Sequence, residues 1–247
     1  MKILVCITKA PDTTTKITFT DNNSKLNEAG VQWIINPYDE WYSLVRALEL
    51  KEAGVATAVH LITVGKADTE PVIRKALALG GDEAIRIDGD CNDSFYIATQ
   101  IAEYARSQSY DMILTGKESI DYGNASIGAM VAEMLDMPFI SLATKLDVDG
   151  TMVTAVREIE GGEEKDSCAL PLVVSCQKGM SEARIPNMRG IMAARTKPLN
   201  VQAPVAVDEL TSVLSYEMPP AKSGCKMIDV EQMDELVKLL HEEAKVI

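Results

Sequence analysis

The sequence has few of the residues that metal centres and acid–base catalysts usually require. It contains two histidines, His60 and His241, and five cysteines without a Cys-x-x-Cys spacing. We therefore expect no metal site, and the odd, scattered cysteines favour reduced thiols in a cytoplasmic protein. His60 lies within a strand-like run and Cys6 within a buried first strand, so structural roles are expected for both. No spaced pair of carboxylates stands out as a general acid and base, so no catalytic residue is assigned.

Further absences narrow the class of protein. The sequence has no G-x-G-x-x-G, G-x-x-x-x-G-K-[ST] or G-x-S-x-G motif, so the common nucleotide and hydrolase signatures are missing. No stretch approaches the ~18 consecutive apolar residues of a membrane span. Positive charge is also scarce. The sequence has 24 Lys and Arg residues against 37 Asp and Glu residues, which gives a net charge of -13. An acidic surface repels phosphate backbones and anionic lipids, so neither nucleic-acid binding nor direct membrane insertion is expected.

Apolar strand-like runs alternate with helix-like segments through the first part of the chain. We predict strands at 3–8, 58–64, 84–87, 112–114 and 139–142, and helices at 37–53, 69–79, 93–107 and 125–135. This order with short links predicts an α/β fold with a doubly wound, mainly parallel sheet and helices on both faces. Sheets of this type bind ligands beyond the carboxyl ends of their strands.

The pattern changes near residue 145. Alternating residues predict a β-hairpin within 145–176, with an apolar strand at 169–175, and a polar loop follows over 178–198. The segment 197–227 carries four prolines and weak periodicity, which indicates an extended arm, and 230–246 has the pattern of an amphipathic helix. A small hairpin or irregular excursion is expected at 17–26. We therefore predict one α/β domain over 1–198 and a C-terminal arm with its helix over 199–247.

Three segments are predicted to converge at the carboxyl edge of the sheet, namely 6–9, 36–39 and 115–128. The last reads T-G-K-E-S-I-D-Y-G-N-A-S-I-G. Gly116 allows a tight turn after the strand, and Asp121 can accept hydrogen bonds from a ribose or an adenine amine. The small residues that follow let backbone amides approach a phosphate at a helix N-terminus. A plain N-capped loop is the alternative, and these residues by themselves favour neither interpretation.

Four strings of residues in this chain resemble one known family over nearly the whole length. They are I-L-V-C-I-T-K followed by Pro11-Asp12, then N-P-Y-D-E at 36–40, then I-R-K-A-L-A-L-G at 73–80 with Gly116-Lys117 and Ile120-Asp121, and finally V-R-E-I-E-G-G at 156–162 with Leu170-Pro171 and Gly190-Ile191-Met192. In these strings the chain is similar to the β subunit of electron transfer flavoprotein. The strings together are much more specific than any one of them.

The resemblance implies a heterodimer with a larger α subunit, which holds FAD near the interface, and an AMP that has a structural part in this chain. Electrons would enter from flavin-dependent dehydrogenases and leave to a quinone oxidoreductase or similar acceptor, so the chain would be an electron-carrier subunit rather than an enzyme. The AMP site implied by position comprises Cys6, Asn36, Pro37, Tyr38, Asp39, Gly65, Gly116, Lys117, Ile120, Asp121, Tyr122, Gly123, Asn124, Ala125, Ser126 and Ile127.

The resemblance also implies a surface for the partner dehydrogenase. It would lie in the loop 184–195, where Met188 stands at the position of an apolar anchor. The docking residues implied are Arg184, Met188, Arg189, Ile191 and Met192. The last helix would clasp the α subunit.

Two alternatives stay open at this point. In electron-bifurcating members a second FAD replaces AMP, and glycine follows the Ile-Asp pair, whereas Tyr122 stands there in this chain and favours AMP. Arg189-Gly190 is typical of the bifurcating branch and Glu158 with Gly161-Gly162 of the other, so the branch is undecided. A non-redox adenine-nucleotide module, such as an adenylyl transferase, would need a glycine-rich phosphate loop with basic residues, for which Lys9 and Lys117 are the candidates.

Overall fold

The computed structural model describes residues 1–37, 39–90, 92–221 and 224–247. Its helices are Asp39–Glu52 (α1), Glu70–Leu79 (α2), Ser94–Arg106 (α3), Ile127–Leu135 (α4), Met188–Ala194 (α5) and Met233–Lys238 (α6). Its strands are Lys2–Cys6 (β1), Lys9–Pro11 (β2), Phe19–Thr20 (β3), Lys25–Leu26 (β4), Trp33–Ile35 (β5), Ala58–Val64 (β6), Glu83–Ile87 (β7), Met112–Gly116 (β8), Phe139–Asp149 (β9), Met152–Ile159 (β10), Gly162–Ala169 (β11), Leu172–Cys176 (β12) and Leu199–Gln202 (β13).

One mixed sheet organises the described residues, and it confirms the predicted fold class. Its nine strands run in the order β11-β10-β9-β12-β8-β1-β6-β7-β13. The pairs from β9 across to β13 are parallel, whereas β9, β10 and β11 pair antiparallel. The smaller pairs β2–β5 and β3–β4 lie outside this sheet.

Helices cover both faces of the parallel part of the sheet. Ile3 and Val5 of β1 pack in a core with residues of α1 and α2, whereas Leu4 and Cys6 pack in a second core with residues of α3 and α4. Side chains along a strand alternate between faces, so a strand buried on both faces must be apolar at every position. This is why the central strands could be predicted as continuous apolar runs.

The second part of the chain differs in three places from the sequence-based expectation. The hairpin gains a third antiparallel strand, β11, before the parallel strand β12. The polar loop contains the short helix α5, whose N-cap Asn187 accepts a hydrogen bond from the Gly190 amide at 2.8 Å. The arm begins with β13, which extends the main sheet beside β7. The predicted small hairpin at 17–26 is confirmed as β3–β4.

The C-terminal helix is mostly exposed on the surface of the described chain. Helix α6 continues into a π-helical turn, Leu239–Ala244, and neither segment has a buried residue. Within the described ranges, every helix is too short or too polar to cross a bilayer.

Candidate functional site

A cleft of about 620 Å³ lies at the carboxyl edge of the parallel sheet. The ends of β1, β6 and β8 form its base, and the hairpin β3–β4 and the loop between β8 and α4 form its sides. Its volume falls in the range of about 300–1,000 Å³ that is typical of small-molecule sites. Because β1 pairs in parallel with both β6 and β8, the three strand ends open at the same edge.

The loop between β8 and α4 is braced from beneath by buried polar side chains. Asn36 is fully buried, donates from Nδ2 to the Glu118 carbonyl at 2.8 Å and accepts from the Ile120 amide at 3.1 Å. Asp39 accepts from the Glu118 amide at 3.3 Å. A buried side chain that satisfies both a donor and an acceptor fixes the loop in place.

Two glycines allow close backbone approach at the cleft. A Cβ atom on Gly116 would lie 2.8 Å from Glu40 Cγ, and one on Gly128 would lie 2.8 Å from Thr115 Oγ1. Any larger residue would therefore push β8 away from α1 or α4 away from β8. Thr115 Oγ1 is buried and makes no hydrogen bond within the part of the chain that the structure describes, although Thr115 lies on the cleft wall. An orphaned hydroxyl in a polar cleft fits a site that takes a polar ligand.

The loop that leads into α4 contains two residues with positive φ. Gly123 has φ of 61° and Ala125 has φ of 51°. A left-handed non-glycine residue stores strain that is common at ligand sites, and such turns form concave arrays of amides. Asn124 donates to Ser94 Oγ at 3.0 Å, which ties the loop to the start of α3. The N-terminus of α4 favours negative charge beside this loop.

A buried carboxyl lies on the base of the cleft. Glu40 is 5 % exposed, its Oε2 accepts the Thr8 amide at 2.6 Å, and its Oε1 lies 3.0 Å from the Thr8 hydroxyl. Burial raises the pKa of Glu40 to about 8, against the lowering effect of the Thr8 hydrogen bonds. Burial, with Glu40 second, also raises the pKa of the Cys6 thiol. Cys6 is therefore a protonated core residue, as the sequence suggested, rather than a nucleophile.

Three lysines supply positive charge around the cleft, and each is paired with a carboxylate. Lys9 pairs with Asp68, Lys66 with Asp90, and Lys117 with Glu118 at 2.7 Å. The hydrogen bond to Glu118 is the main cause of the raised pKa of Lys117. A bound phosphate would compete with these carboxylates for the lysines, so its grip would depend mainly on backbone amides.

The structure brings most of the predicted nucleotide residues to one place. Those on the cleft wall are Cys6, Gly65, Gly116, Lys117, Asp121, Tyr122, Asn124, Ala125, Ser126 and Ile127. The predicted residues Asn36, Pro37, Asp39, Ile120 and Gly123 do not line the cleft. Of these, Asn36 and Asp39 brace the loop that forms its side. Tyr38 falls outside the described residues.

Sequence reasoning missed several residues of the cleft wall. Thr8 lies within the segment 6–9 that was predicted to converge here but was not assigned to the site, whereas Glu40 and Lys66 lie outside the predicted segments. Tyr216 comes from the distant arm, and nothing in its local sequence signals a place in this cleft.

The docking residues implied by the sequence gather on and beside α5. Arg184 makes two hydrogen bonds to the Glu52 carboxylate, at 2.6 and 3.0 Å, and its carbonyl accepts from Trp41 Nε1 at 3.1 Å. Met188 is 73 % exposed. An exposed apolar group next to it comprises Ile185, Ile191 and Met192. We refer to Ile185, Met188, Ile191 and Met192 as the docking cluster.

Comparison with known proteins identifies the family. A family model described as "Electron transfer flavoprotein domain" matches residues 24–207. The chain belongs to the electron transfer flavoprotein family. Relatives named electron transfer flavoprotein subunit beta include one from Bacillus subtilis, 38% identical with both chains fully covered. One from Syntrophomonas wolfei is 36% identical over 93% of this chain and 90% of the relative, and one from Megasphaera elsdenii is 31% identical over 95% and 94%.

Proposed function

We propose that this chain is the β half of a cytoplasmic heterodimeric electron carrier. Its cleft holds AMP in a structural role, and the larger α subunit holds FAD near the interface. Electrons enter from flavin-dependent dehydrogenases and leave to a quinone oxidoreductase or a similar acceptor. This chain then supplies binding, orientation and a docking surface, while the flavin supplies the redox chemistry.

One observation carries the nucleotide part of the proposal. The strand ends, the close-packed Gly116 and Gly128, and the left-handed Ala125 build a single cleft. Its wall includes Thr115, whose buried hydroxyl has no hydrogen-bond partner among the described residues. These features suit a ligand with a phosphate and several polar groups. Family membership supports the same ligand class.

Aromatic rings at the cleft favour AMP over a second FAD. Tyr122 follows the Ile120-Asp121 pair and lies on the cleft wall together with Tyr216. Burial, followed by the neighbouring Tyr216 phenol, raises the pKa of Tyr122, which indicates that the two hydroxyl groups are close together. The rings of Tyr122 and Tyr216 leave less space for the isoalloxazine of a second FAD than a glycine after the Ile-Asp pair would leave.

The docking cluster supports the proposed role with dehydrogenases. Three of its four apolar side chains are exposed on α5. This helix is anchored through Arg74, which donates to the carbonyls of Ala194 and Lys197 at 2.8 and 2.7 Å. Interfaces between proteins concentrate their binding energy in a few such anchors, surrounded by polar residues.

Acid extraction of the purified heterodimer, followed by chromatography, tests the cofactor assignment. We expect one FAD and one AMP per heterodimer.

The Asp121→Ala variant is expected to bind AMP about tenfold less tightly than the wild type, because a charged hydrogen bond to the nucleotide is lost. Asp121→Asn, which keeps an acceptor at this position, is the matched control and is expected to lose less. Two FAD per heterodimer would establish the bifurcating alternative, and a complex without flavin would refute both redox proposals.

Met188→Ala is expected to slow reduction of the flavin by the partner dehydrogenase by about tenfold or more, because a central apolar anchor typically contributes about 2 kcal/mol or more to an interface. Stopped-flow measurement of flavin reduction checks the rate, and the flavin content is expected to be unchanged. Met152→Ala removes an exposed methionine from β10 and is the control. Loss of flavin from Met188→Ala would instead assign this segment a structural role.

A further inference from the structure

The first part of the C-terminal arm packs against the α/β domain of its own chain. After β13, the Val205 amide donates to Gln100 Oε1 at 2.8 Å, and Gln100 Nε2 donates to the Val205 carbonyl at 2.9 Å. The Thr211 hydroxyl then donates to the Asp93 carboxylate at the N-terminus of α3. These contacts run from the middle of α3 towards its N-terminal end.

The arm then reaches the hairpin β3–β4. The Tyr216 ring stacks on Phe19 with 4.9 Å between ring centroids and an interplanar angle of 6°, and the Tyr216 amide donates to the Asn23 carbonyl at 2.7 Å. Between residues 208 and 221, Tyr216 is the one residue that is not exposed. A single half-buried ring in an exposed segment indicates a specific anchor rather than general packing.

Both anchors lie next to residues that line the cleft. Next to Asp93, Ser94 lines the cleft from the side of α3, whereas Ser24 and Leu26 line it from the hairpin, and Tyr216 is itself part of the wall. Of the residues between the two anchors and at their ends, Tyr216 is the one that lines the cleft, so the arm contributes this ring to the cleft wall.

We propose that residues 203–216 form a strap along the nucleotide cleft that holds Tyr216 in the cleft wall, so that release of the strap accelerates exchange of the nucleotide. This inference rests on the proposal that the cleft holds AMP. It adds a determinant of retention that lies far in sequence from the strand-end loops. By linkage, a bound nucleotide also stabilises the attachment of the strap.

Exchange of bound AMP in the assembled heterodimer tests the strap. The complex is loaded with radiolabelled AMP, diluted into excess unlabelled AMP, and sampled over time. Tyr216→Ala removes the stacked pair and is expected to accelerate exchange about two- to tenfold, the range for one aromatic pair. Gln100→Ala releases the other end of the strap without altering the cleft wall and is expected to act in the same direction. Leu214→Ala, which changes an exposed side chain of the strap, is the control and is expected to exchange at the wild-type rate.

The outcomes separate this inference from the proposal on which it rests. A wild-type heterodimer without AMP refutes the AMP assignment itself. A wild-type heterodimer with AMP, in which Tyr216→Ala and Gln100→Ala both exchange at the wild-type rate, overturns the strap alone. If Tyr216→Ala does not assemble, Gln100→Ala decides the question. Hydrogen exchange gives a second readout. The Tyr216 amide hydrogen is expected to exchange more slowly when AMP is bound than after AMP has been removed.

Discussion

Gly190→Ala is expected to displace helix α5 and thereby slow electron entry at the docking cluster. A Cβ atom on Gly190 would lie 2.3 Å from the Ala78 carbonyl oxygen near the end of α2. The obstacle is a backbone atom, which cannot rotate away as a side chain can, so α5 itself must shift. Overpacking of this kind typically costs about 1–3 kcal/mol. We expect a lower thermal unfolding midpoint and a reduction rate about tenfold below that of the wild type.

The same glycine-to-alanine change at Gly162 provides the control for Gly190→Ala. A Cβ atom on Gly162, at the start of β11, would meet no atom of the described residues within 4 Å. Gly162→Ala is therefore expected to leave both the unfolding midpoint and the reduction rate close to the wild-type values. If Gly190→Ala also behaved like the wild type, α5 would not be held against α2 in solution as it is in the structure.

The central sheet could be predicted from the sequence because its strands are apolar on both faces and end at recognisable residues. The prediction for β6 has the observed bounds, 58–64, since a buried run stops at Gly65. Helix α5 escaped prediction because it is seven residues long and exposes its apolar side chains. Strand β13 escaped because it is mostly exposed, and pairing with β7 rather than apolar burial holds it in place.

In the candidate site, too, some residues could be predicted from their local sequence, whereas others depend on contacts with distant parts of the chain. The order of the elements predicts a parallel sheet, and the ends of parallel strands lie at the same edge. Cys6 and Asp121 were therefore predicted to lie close together. The bracing role of Asn36 depends on a loop that follows about eighty residues later, as the hydrogen bonds show. The place of Tyr216 depends on the path of an arm without periodicity, and Glu40 reads in sequence as an ordinary carboxylate in the first turn of a helix.

Glu40→Gln is expected to change how strongly the free energy of unfolding depends on pH. The pKa of Glu40 is about 8 in the folded chain, raised by burial from an ordinary value of 4.5. Between these values the folded state keeps a proton that the unfolded state loses, so the free energy of unfolding falls as the pH rises. The slope approaches about 1.4 kcal/mol per pH unit for one group. Glutamine does not titrate, so the variant is expected to lose less stability from pH 5.5 to 8.

Glutamine also reproduces the contacts of the protonated acid. Its carbonyl can accept from the Thr8 amide, and its amide can donate to the Thr8 hydroxyl, since a hydroxyl both donates and accepts. At pH 8 we therefore expect Glu40→Gln to be more stable than the wild type by about 1–3 kcal/mol, measured by denaturant unfolding across the pH range. Glu103→Gln removes a carboxylate from the exposed side of α3 and controls for the change in net charge. Parallel pH profiles for the wild type and Glu40→Gln would mean that Glu40 is ionised in the folded protein, and hence that the base of the cleft carries a negative charge facing the ligand.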